Sequence, residues 1–345
     1  MTRRELLAAA VATSAASAGE TIVTLGPGDS IEAALANGAK TVVLSPGIYR
    51  GLRIRTPGVT IRSAVKWKAV VLGSEDHGVF IEAPGVTVDG LEVAGSRVDG
   101  IKASADNVAI RNCWVHNNCA QGIAIHGRKR WTIERNLIEF NGQHPQLQHG
   151  IYADGEDGVV SANVVRHNSG YGVQLYPAIR GVRVVNNLIH GHGKKGAIVL
   201  AAPAGRSLIA NNTIADNAYG VRLMGGAGQV IANNIIVGPD PVSKDPDAGE
   251  PVLHSNLFDD PKFVDRAREI YFLAPGSPAI GKASAEFAPE TDFWGRGRPA
   301  DLGGVPFHAS LGEPASRAAW HNGWPYRFSA IDPKMEMPDL WRDPR

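Results

Sequence analysis

Short runs in which apolar and polar residues alternate follow one another along most of the chain, and each run opens on a glycine. Examples are GIKASA, GIYADG and GVQLYP. The opening glycines are Gly78, Gly100, Gly122, Gly150, Gly172, Gly196 and Gly220, with spacings of 22, 22, 28, 22, 24 and 24 residues. Strict alternation predicts a short β-strand with one buried face. Because the strands recur at a nearly constant interval, the sequence predicts a solenoid whose coils stack on one another.

A second apolar run follows the first in every coil, and an asparagine recurs within it. These asparagines are Asn112, Asn136, Asn163, Asn187, Asn212 and Asn234. Asparagine tolerates the left-handed backbone conformation, and its amide can both donate and accept hydrogen bonds. We therefore expect a ladder in which each asparagine sits in a left-handed turn and bonds its counterparts in the adjacent coils.

The repeat is too short to hold the crossover helix that joins parallel strands in α/β proteins. With 40 glycines and 22 prolines, the composition also favours short strands joined by tight turns. The sequence therefore predicts an all-β protein, a right-handed parallel β-helix over residues 20–245. The segment 29–38, DSIEAALANG, has a serine cap and helical apolar spacing, which predicts a helix that caps the N-terminal end.

Two segments outside the repeat carry their own signals. Residues 1–19 begin MTRRELL, continue with an Ala-rich stretch and end in small residues, which predicts a twin-arginine signal peptide and export to the periplasm or the extracellular space. An uncleaved N-terminal extension is the alternative. Residues 246–345 are less regular, and we expect this C-terminal extension to pack on the solenoid as a cap, with Trp320, Trp324 and Trp341 covering its edge.

Charge and cysteine content exclude several classes of function. The chain has 35 Lys and Arg against 34 Asp and Glu, so no overall field attracts nucleic acid or an anionic membrane. The apolar stretch near the N-terminus is too short for a membrane span. Cys113 and Cys119 are too few for a disulfide scaffold, and a structural thiol or one local disulfide explains them. We expect a monomer without a nucleic-acid or membrane partner.

Several phrases of the sequence carry a resemblance to a known family. The glycine-led repeat, the recurring asparagines, HGIY, SGYGVQLYP, FLAPGSPAIGKA and DFWGRGRP resemble bacterial right-handed β-helix proteins of the pectate-lyase-like superfamily. The resemblance covers roughly residues 40–300. It implies a polysaccharide or oligosaccharide as the partner, and it leaves open a lyase, a C5-epimerase, a hydrolase or a non-catalytic surface protein.

The alternation also predicts which side chains face outward. The expected outer face contains Phe80, Glu82, Lys102, Ser104, Ala124, His126, Tyr152, Asp154, Gln174, Tyr176, Ile198, Leu200, Arg222 and Met224. The residues before the glycines should lie beside it: His77, Asp99, Gln121, His149, Tyr171, Lys195 and Tyr219. Polar and aromatic groups are concentrated on the middle coils, which suits sugar recognition. The inserted loop NGQHPQLQH could wall this groove and present His144.

β-Elimination or C5-epimerisation of a uronate needs a cation for the carboxylate, a base for the C5 proton and an acid. The expected catalytic residues are Tyr152, His126, His149, Lys102 and Asp154. The expected substrate-binding residues are Tyr171, Gln174, Tyr176, Lys195, Arg222, His144 and Gln121. Tyr152 and one of the histidines would act as acid and base, with Asp154 orienting one of them. A lysine, Lys102 or Lys195, would neutralise the carboxylate.

Other activities and one cofactor are left open by the sequence. Glycoside hydrolysis uses two carboxyl groups roughly 5 to 9.5 Å apart, and Asp154 has no clear partner because Asp99 is two coils away. A non-catalytic carbohydrate-binding or cell-surface protein needs neither acid nor base. No cofactor is required, although a Ca²⁺ ion on Asp154 with Glu156 or Asp157 could replace the lysine cation.

Overall fold

The computed structural model describes residues 21–193, 195–201, 205–305 and 307. Within this part of the chain, strands alternate with turns, and the helical elements are α1 (Ile31–Ala36) and a 3₁₀ turn (Arg266–Arg268). The strands are β1 (Ile22–Leu25), β2 (Thr41–Leu44), β3 (Gly47–Tyr49), β4 (Leu52–Ile54), β5 (Thr60–Ser63), β6 (Ala69–Leu72), β7 (Val79–Ile81), β8 (Thr87–Asp89), β9 (Glu92–Ala94), β10 (Ile101–Ala103), β11 (Ala109–Arg111), β12 (Trp114–His116), β13 (Ile123–Lys129), β14 (Thr132–Glu134), β15 (Leu137–Glu139), β16 (Ile151–Glu156), β17 (Val159–Ser161), β18 (Val164–Arg166), β19 (Val173–Arg180), β20 (Arg183–Val185), β21 (Leu188–His190), β22 (Ile198–Leu200), β23 (Leu208–Ala210), β24 (Thr213–Ala215), β25 (Val221–Leu223), β26 (Val230–Ala232), β27 (Ile235–Val237), β28 (Val242–Lys244), β29 (Val252–His254), β30 (Phe263–Asp265) and β31 (Ile270–Leu273).

The chain winds through three parallel sheets, because each full coil contributes one strand to each of them. Sheet 1 consists, in spatial order, of β1, β2, β5, β8, β11, β14, β17, β20, β23, β26 and β29. Sheet 2 consists of β3, β6, β9, β12, β15, β18, β21, β24 and β27. Sheet 3 consists of β4, β7, β10, β13, β16, β19, β22, β25 and β28. This stacking confirms the predicted all-β parallel β-helix.

The core lies inside the tube that the three sheets form. In sheet 3 the inner residues paired across five adjacent coils are Ile101, Ile123, Ile151, Val173 and Ile198. All five are fully buried, and each such side chain stabilises the fold by about 1.5–3 kcal/mol. The coils also approach one another closely at the repeated glycines. A Cβ at Gly150 would stand 2.7 Å from the carbonyl oxygen of Gly172, so only glycine fits there.

The asparagine ladder runs along the bend between sheets 1 and 2. Its members are Asn136, Asn163, Asn187, Asn212, Asn234 and Asn256, joined by amide hydrogen bonds of 2.9 or 3.0 Å. The left-handed residue is the one before each ladder asparagine, such as Asn186 with φ of 60°, so the predicted backbone conformation is wrong for the ladder members. Asn112 does occupy a left-handed turn, as predicted, but it is not a member of the ladder. Cys113 takes the ladder position there, and its N–H donates to Asn136 Oδ1.

The two cysteines are not bonded to each other. Cys113 is fully buried and Cys119 is partly exposed, and both are free thiols. Burial raises the pKa of the Cys113 thiol to about 12, so this group stays protonated and unreactive at neutral pH. The local disulfide is therefore wrong, and the structural thiol is the interpretation that stands.

The predicted N-terminal helix is present in a shorter form, as α1. Ser30 Oγ accepts a hydrogen bond from a backbone N–H of the first turn, and Leu35 is buried in the main core. Its role as an end cap stays a prediction. The predicted signal peptide, residues 1–19, and the aromatic tail lie outside the described residues. Of the helices that the structure describes, none is long and apolar enough to cross a membrane.

The C-terminal segment runs along the side of the β-helix. Sheet 1 continues to β29. This strand lies beyond residue 245, where the sequence predicted that the solenoid ends. Further on, Tyr271, Phe272 and Phe293 form a second buried cluster with Leu188 and with neighbouring residues of the solenoid. Leu188 lies on β21, so this segment covers part of the outer surface of sheet 2.

Candidate functional site

The outer surface of sheet 3 carries one in-register column of side chains. Its members are Arg53, Phe80, Lys102, Ala124, Tyr152, Gln174, Val199, Arg222 and Ser243. The structure thus places Lys102, Tyr152, Gln174 and Arg222 on one face, as the alternation predicts. Neighbouring strands lie about 4.8 Å apart, so the polar middle of the column spans only a few coils.

The prediction that Ile198 and Leu200 face outward is wrong. Both residues are fully buried and pair with inner residues of β19, whereas Val199 pairs with Gln174 on the outside. The error arises because this coil holds an extra residue before its strand. Ala197, and not Gly196, supplies the carbonyl that the N–H of Val173 reaches. The outward position remains apolar, so the polar patch still ends at this coil.

Five aromatic rings from three adjacent coils gather on this surface, and we call them the aromatic cluster. They are His126, His149, Tyr152, Tyr171 and Tyr176. Tyr152 is central: its ring centroid lies 4.9 Å from that of His126, 6.1 Å from His149 and 6.4 Å from Tyr176. The centroids of His149 and Tyr171 are 5.6 Å apart. The five rings are therefore in contact with one another, although His149 and Tyr171 are buried.

His149 supports the backbone and does not face a substrate. Its side chain is only 1% exposed, and its Nδ1 accepts a hydrogen bond of 3.0 Å from the N–H of Tyr171. Its own N–H donates to Gln121 Oε1 at 2.6 Å. Burial lowers its pKa to about 4, so the ring is neutral at neutral pH. These contacts argue against the predicted role of His149 in acid–base chemistry and indicate a positioning role.

His126 lies on the outer surface of sheet 3, beside Tyr152. It is half-buried, and burial together with the nearby Lys102 cation lowers its pKa below the ordinary value of 6.5. Asp154 and Asp99 oppose this decrease. The imidazole is therefore neutral at neutral pH, which is the protonation state that a general base needs.

The surroundings of Tyr152 favour the protonated phenol. Burial raises its pKa above the ordinary value of 10, and the negative charge of Asp154 and the neighbouring Tyr176 raise it further. The phenol therefore keeps its proton at neutral pH. A group in this state can donate a proton but is a poor base. In these environments Tyr152 can donate a proton and His126 can accept one.

Asp154 sits on a β-bulge that shapes the floor of the site. Its Oδ1 accepts a hydrogen bond from the N–H of Gly127, where the register between β13 and β16 shifts. Its backbone carbonyl accepts the indole N–H of Trp131 at 3.1 Å. Asp154 is 9% exposed, and its charge opposes the decrease in the pKa of His126 and raises the pKa of Tyr152. The predicted orienting role stays a prediction.

Three cations border the aromatic cluster, and they differ in their partners. Lys102 Nζ lies 3.9 Å from Asp99 Oδ2, and burial lowers its pKa while Asp99 and Asp154 oppose the decrease. Lys195 Nζ lies 5.7 Å from the ring centroid of Tyr171. Arg222 forms an ion pair of 2.8 Å with Asp245. Lys102 is the cation whose charge acts on His126, so it lies closest to the expected chemistry.

Asp99 connects several groups of the site, although the sequence predicted only its position and gave it no role. Its Oδ2 lies 3.3 Å from His77 Nδ1, and its Oδ1 accepts the N–H of Gln121 at 3.0 Å. Together with the Lys102 contact, these bonds join three successive coils. Its place directly before Gly100 was the available signal, because that position lies beside the outer face in every coil.

Gln121 holds backbone groups, and the predicted wall formed by the inserted loop with His144 stays a prediction. Gln121 binds backbone at both ends of its amide, since Nε2 donates to the carbonyl of Leu147 at 2.7 Å and Oε1 accepts from His149. It therefore anchors the inserted loop. His144 is exposed, and its backbone N–H donates to Gln148 Oε1 at 2.6 Å within that loop.

The predicted alternative of a Ca²⁺ site finds no support in the described part of the chain. Glu156 forms an ion pair of 3.1 Å with Lys129. Asp157 occupies a left-handed turn with φ of 55°, and Asp154 binds Gly127. Among the described residues, these three carboxylates do not form a group that could hold a metal ion.

Comparisons with known proteins agree with this architecture. Residues 58–205 match the family described as right handed beta helix region, while a search of curated protein sequences gives no match. The pectate lyase Pel9A aligns with a TM-score of 0.59 at 15% identity, covering 84% of this chain and 96% of that chain. The A-module of Azotobacter vinelandii mannuronan C-5 epimerase AlgE4 gives 0.46 at 18%, covering 67% and 91%.

An alginate lyase from Paenibacillus sp. str. FPU-7 aligns with a TM-score of 0.44 at 15% identity, covering 68% of this chain and 98% of that chain. Of these three alignments, the one with Pel9A has a TM-score above 0.5. At 15% identity it shows a shared fold. The predicted resemblance to pectate-lyase-like β-helix proteins is confirmed at that level.

Proposed function

We propose that this parallel β-helix of the pectate-lyase type is a carbohydrate-active enzyme that abstracts the C5 proton of a uronic-acid polysaccharide, as a lyase or a C5-epimerase. The observation that carries the proposal is the pairing of a neutral imidazole, His126, with a protonated phenol, Tyr152, at a ring distance of 4.9 Å. Lys102 adds a cation beside them. These are the three functions that the reaction needs.

His126 acts as the base in this proposal. The imidazole takes the proton from C5, and the electron pair left behind is stabilised by the adjacent carboxylate, whose charge Lys102 neutralises. Burial strengthens this electrostatic interaction because less water screens it. Asp154 balances the cation that forms on His126, as its electrostatic effect on the histidine indicates.

Tyr152 completes either reaction with its own proton. In β-elimination the C4–O bond breaks, a C4–C5 double bond forms, and the phenol protonates the leaving oxygen. In epimerisation the phenol returns a proton to C5 from the face opposite His126. The raised pKa of Tyr152 serves both reactions, because the proton stays on the phenol until the electron pair develops. Lyase and epimerase therefore share their first step and differ in the second.

The test offers the purified protein a panel of pectate, alginate, glycosaminoglycan and bacterial exopolysaccharides. Ultraviolet absorbance follows the unsaturated uronate ends that a lyase makes. An increase in absorbance with the unchanged protein that is lost in His126→Gln and in Tyr152→Phe supports the lyase. Epimerase activity would appear instead as solvent hydrogen incorporated at C5 without an absorbance change.

His116→Gln is the matched control for His126→Gln. His116 is also half-buried, but it lies on sheet 2, where its Nε2 contacts Glu92 Oε1 at 3.3 Å. This variant should retain full turnover. A different result would be that the protein binds a polysaccharide while producing no unsaturated ends, no hydrogen exchange at C5 and no new reducing ends. That result would contradict the enzyme proposal and favour a carbohydrate-binding protein.

A further inference from the structure

A second group of polar side chains lies outside the aromatic cluster, on the covered surface of sheet 2. His190 ends β21, and His167 directly follows the neighbouring strand β18. Glu269 comes from the C-terminal segment, one residue after the 3₁₀ turn. The three residues are therefore supplied by two adjacent coils and by a segment about one hundred residues further along the chain.

The three side chains converge on one point. His167 Nε2 lies 2.7 Å from Glu269 Oε1, and His190 Nδ1 lies 3.9 Å from the same oxygen. One nitrogen or oxygen atom from each residue falls within 4.8 Å of the other two. Ligands of a tetrahedral ion with bonds of about 2.0–2.2 Å lie roughly 3.3–3.5 Å apart, so small side-chain shifts bring these atoms into place.

His190 supplies an observation that ion pairing alone does not explain. The side chain is 2% exposed, and its Nδ1 is buried without a hydrogen-bond partner among the described residues. A buried polar atom left in this state costs about 1–3 kcal/mol. The nitrogen faces the Glu269 carboxylate at a distance that is too long for a hydrogen bond but is suitable for a shared ion.

The surroundings hold the carboxylate in place. Arg166 Nη1 binds Glu269 Oε2 at 3.2 Å, which leaves Oε1 directed at the histidines. Glu139 Oε2 in turn binds Arg166 Nε at 2.6 Å and offsets the arginine charge. The ring of Phe140 stacks on His167 with centroids 5.3 Å apart and planes at 9°. Contacts of this kind orient the ligands of metal sites.

We propose that His167 Nε2, His190 Nδ1 and Glu269 Oε1 bind a divalent transition-metal ion of the Zn²⁺ class. Two imidazole nitrogens and one carboxylate suit such an ion, whereas Ca²⁺ and Mg²⁺ prefer sets of oxygen ligands. His167 and Glu269 are about one-third exposed, so solvent can supply the fourth ligand. The ion ties the C-terminal segment to the β-helix and stabilises the folded chain by its binding energy.

The experiment titrates tag-free, metal-depleted full-length protein with Zn²⁺ in a calorimeter and repeats the thermal unfolding with and without the ion. The proposal predicts one site per chain and a higher Tm with Zn²⁺. Glu269→Gln and His167→Gln should each weaken binding by more than about tenfold and remove most of the Tm increase. His190 is left unchanged, because each of the two variants already removes one proposed ligand.

His116→Gln is again the matched control, because this residue forms a histidine–glutamate pair on sheet 2 outside the group of three that could hold a metal. It should bind Zn²⁺ like the unchanged chain. Co²⁺ in place of Zn²⁺ should give visible ligand-field bands without thiolate charge transfer, which excludes Cys119 as the ligand. Absence of binding, binding that survives in both site variants, or equal loss in His116→Gln overturns the proposal and leaves an ion-pair network.

Discussion

The outer surfaces of sheets 2 and 3 are built from the same short strands, yet their polar side chains differ in environment. On sheet 2 the C-terminal segment covers His190, which is 2% exposed, and its Glu269 pairs with Arg166, which also pairs with Glu139 of the neighbouring coil. On sheet 3, His126 and Tyr152 are half-buried. Outward residues of a β-helix therefore become structural where another segment covers them and stay available for chemistry where none does.

The largest effect is expected on kcat, in a comparison of one histidine variant on sheet 3 with one on sheet 2. His126→Gln removes the proposed base and should lower kcat by about 10²–10⁴-fold, whereas His116→Gln should leave kcat unchanged. Both variants should keep the same circular dichroism spectrum and Tm within a few degrees. Steady-state kinetics on the substrate found in the panel measures the contrast. Equal kinetic losses in the two variants would show that the two surfaces do not differ as described.

A similar contrast can be made between a phenol of sheet 3 and a phenol of the C-terminal segment that covers sheet 2. Tyr152→Phe should lower kcat by about 10²-fold with little change in stability. Tyr271, on β31 of the C-terminal segment, donates to Asp216 Oδ2 of the solenoid at 2.8 Å, so Tyr271→Phe should cost about 1–2 kcal/mol of unfolding free energy and leave kcat unchanged. Urea unfolding and initial rates on both variants are the measurements. A kinetic defect confined to Tyr271→Phe would reverse the assignment.

His149 adds to the comparison because it lies beside sheet 3 but is buried like His190 of sheet 2. Burial holds its folded pKa at about 4, below the ordinary 6.5, so the unfolded chain binds a proton at higher pH. Its contribution to stability is complete above about pH 6.5 and falls as the pH decreases towards 4, by about 3 kcal/mol. His149→Gln should flatten this part of the stability curve.

Urea unfolding of both proteins at a series of pH values tests the sign. The difference in unfolding free energy between the unchanged chain and His149→Gln should be largest at neutral pH and should shrink on acidification. A difference that does not depend on pH would mean that His149 has an ordinary pKa and is open to solvent.

The smallest effects are expected from two arginines that each pair with an aspartate. Arg222 binds Asp245 beside the aromatic cluster, and Arg266 of the C-terminal segment binds Asp216 of the solenoid. Removing an exposed pair of this kind costs about 0.2–1 kcal/mol. Arg222→Met should in addition raise KM by up to about tenfold, as loss of a charged hydrogen bond to substrate does, while Arg266→Met should leave KM unchanged. An unaltered KM in Arg222→Met would remove it from the binding surface.

The repeat and the outward face could be predicted because they depend on local sequence. Glycines mark each coil, and alternation places Lys102, Tyr152 and Gln174 in one column. The prediction failed at Ile198, where one extra residue shifts the register by one position and turns every side chain of the strand over. Single insertions of this kind cannot be recognised from the alternation of one coil.

Two further features were out of reach of the sequence for physical reasons. The covered surface of sheet 2 depends on contacts such as Arg166–Glu269, whose partners are 103 residues apart, and no local pattern reports such a contact. The role of His149 depends on which groups its ring and backbone meet. The hydrogen bond that His149 Nδ1 accepts from the N–H of Tyr171 forms only once the coils have stacked. The residue types alone suggested a catalytic pair.

The central claim is that the surface around His126 removes the C5 proton of a uronate, and proton NMR of the polysaccharide panel in D₂O tests it most directly. The unchanged protein should either exchange the H5 signal of one polymer for deuterium or produce the olefinic H4 signal of an unsaturated end, and His126→Gln should do neither. Exchange or elimination that persists in His126→Gln, or the absence of both signals with every uronate polymer in the unchanged protein, would contradict the account.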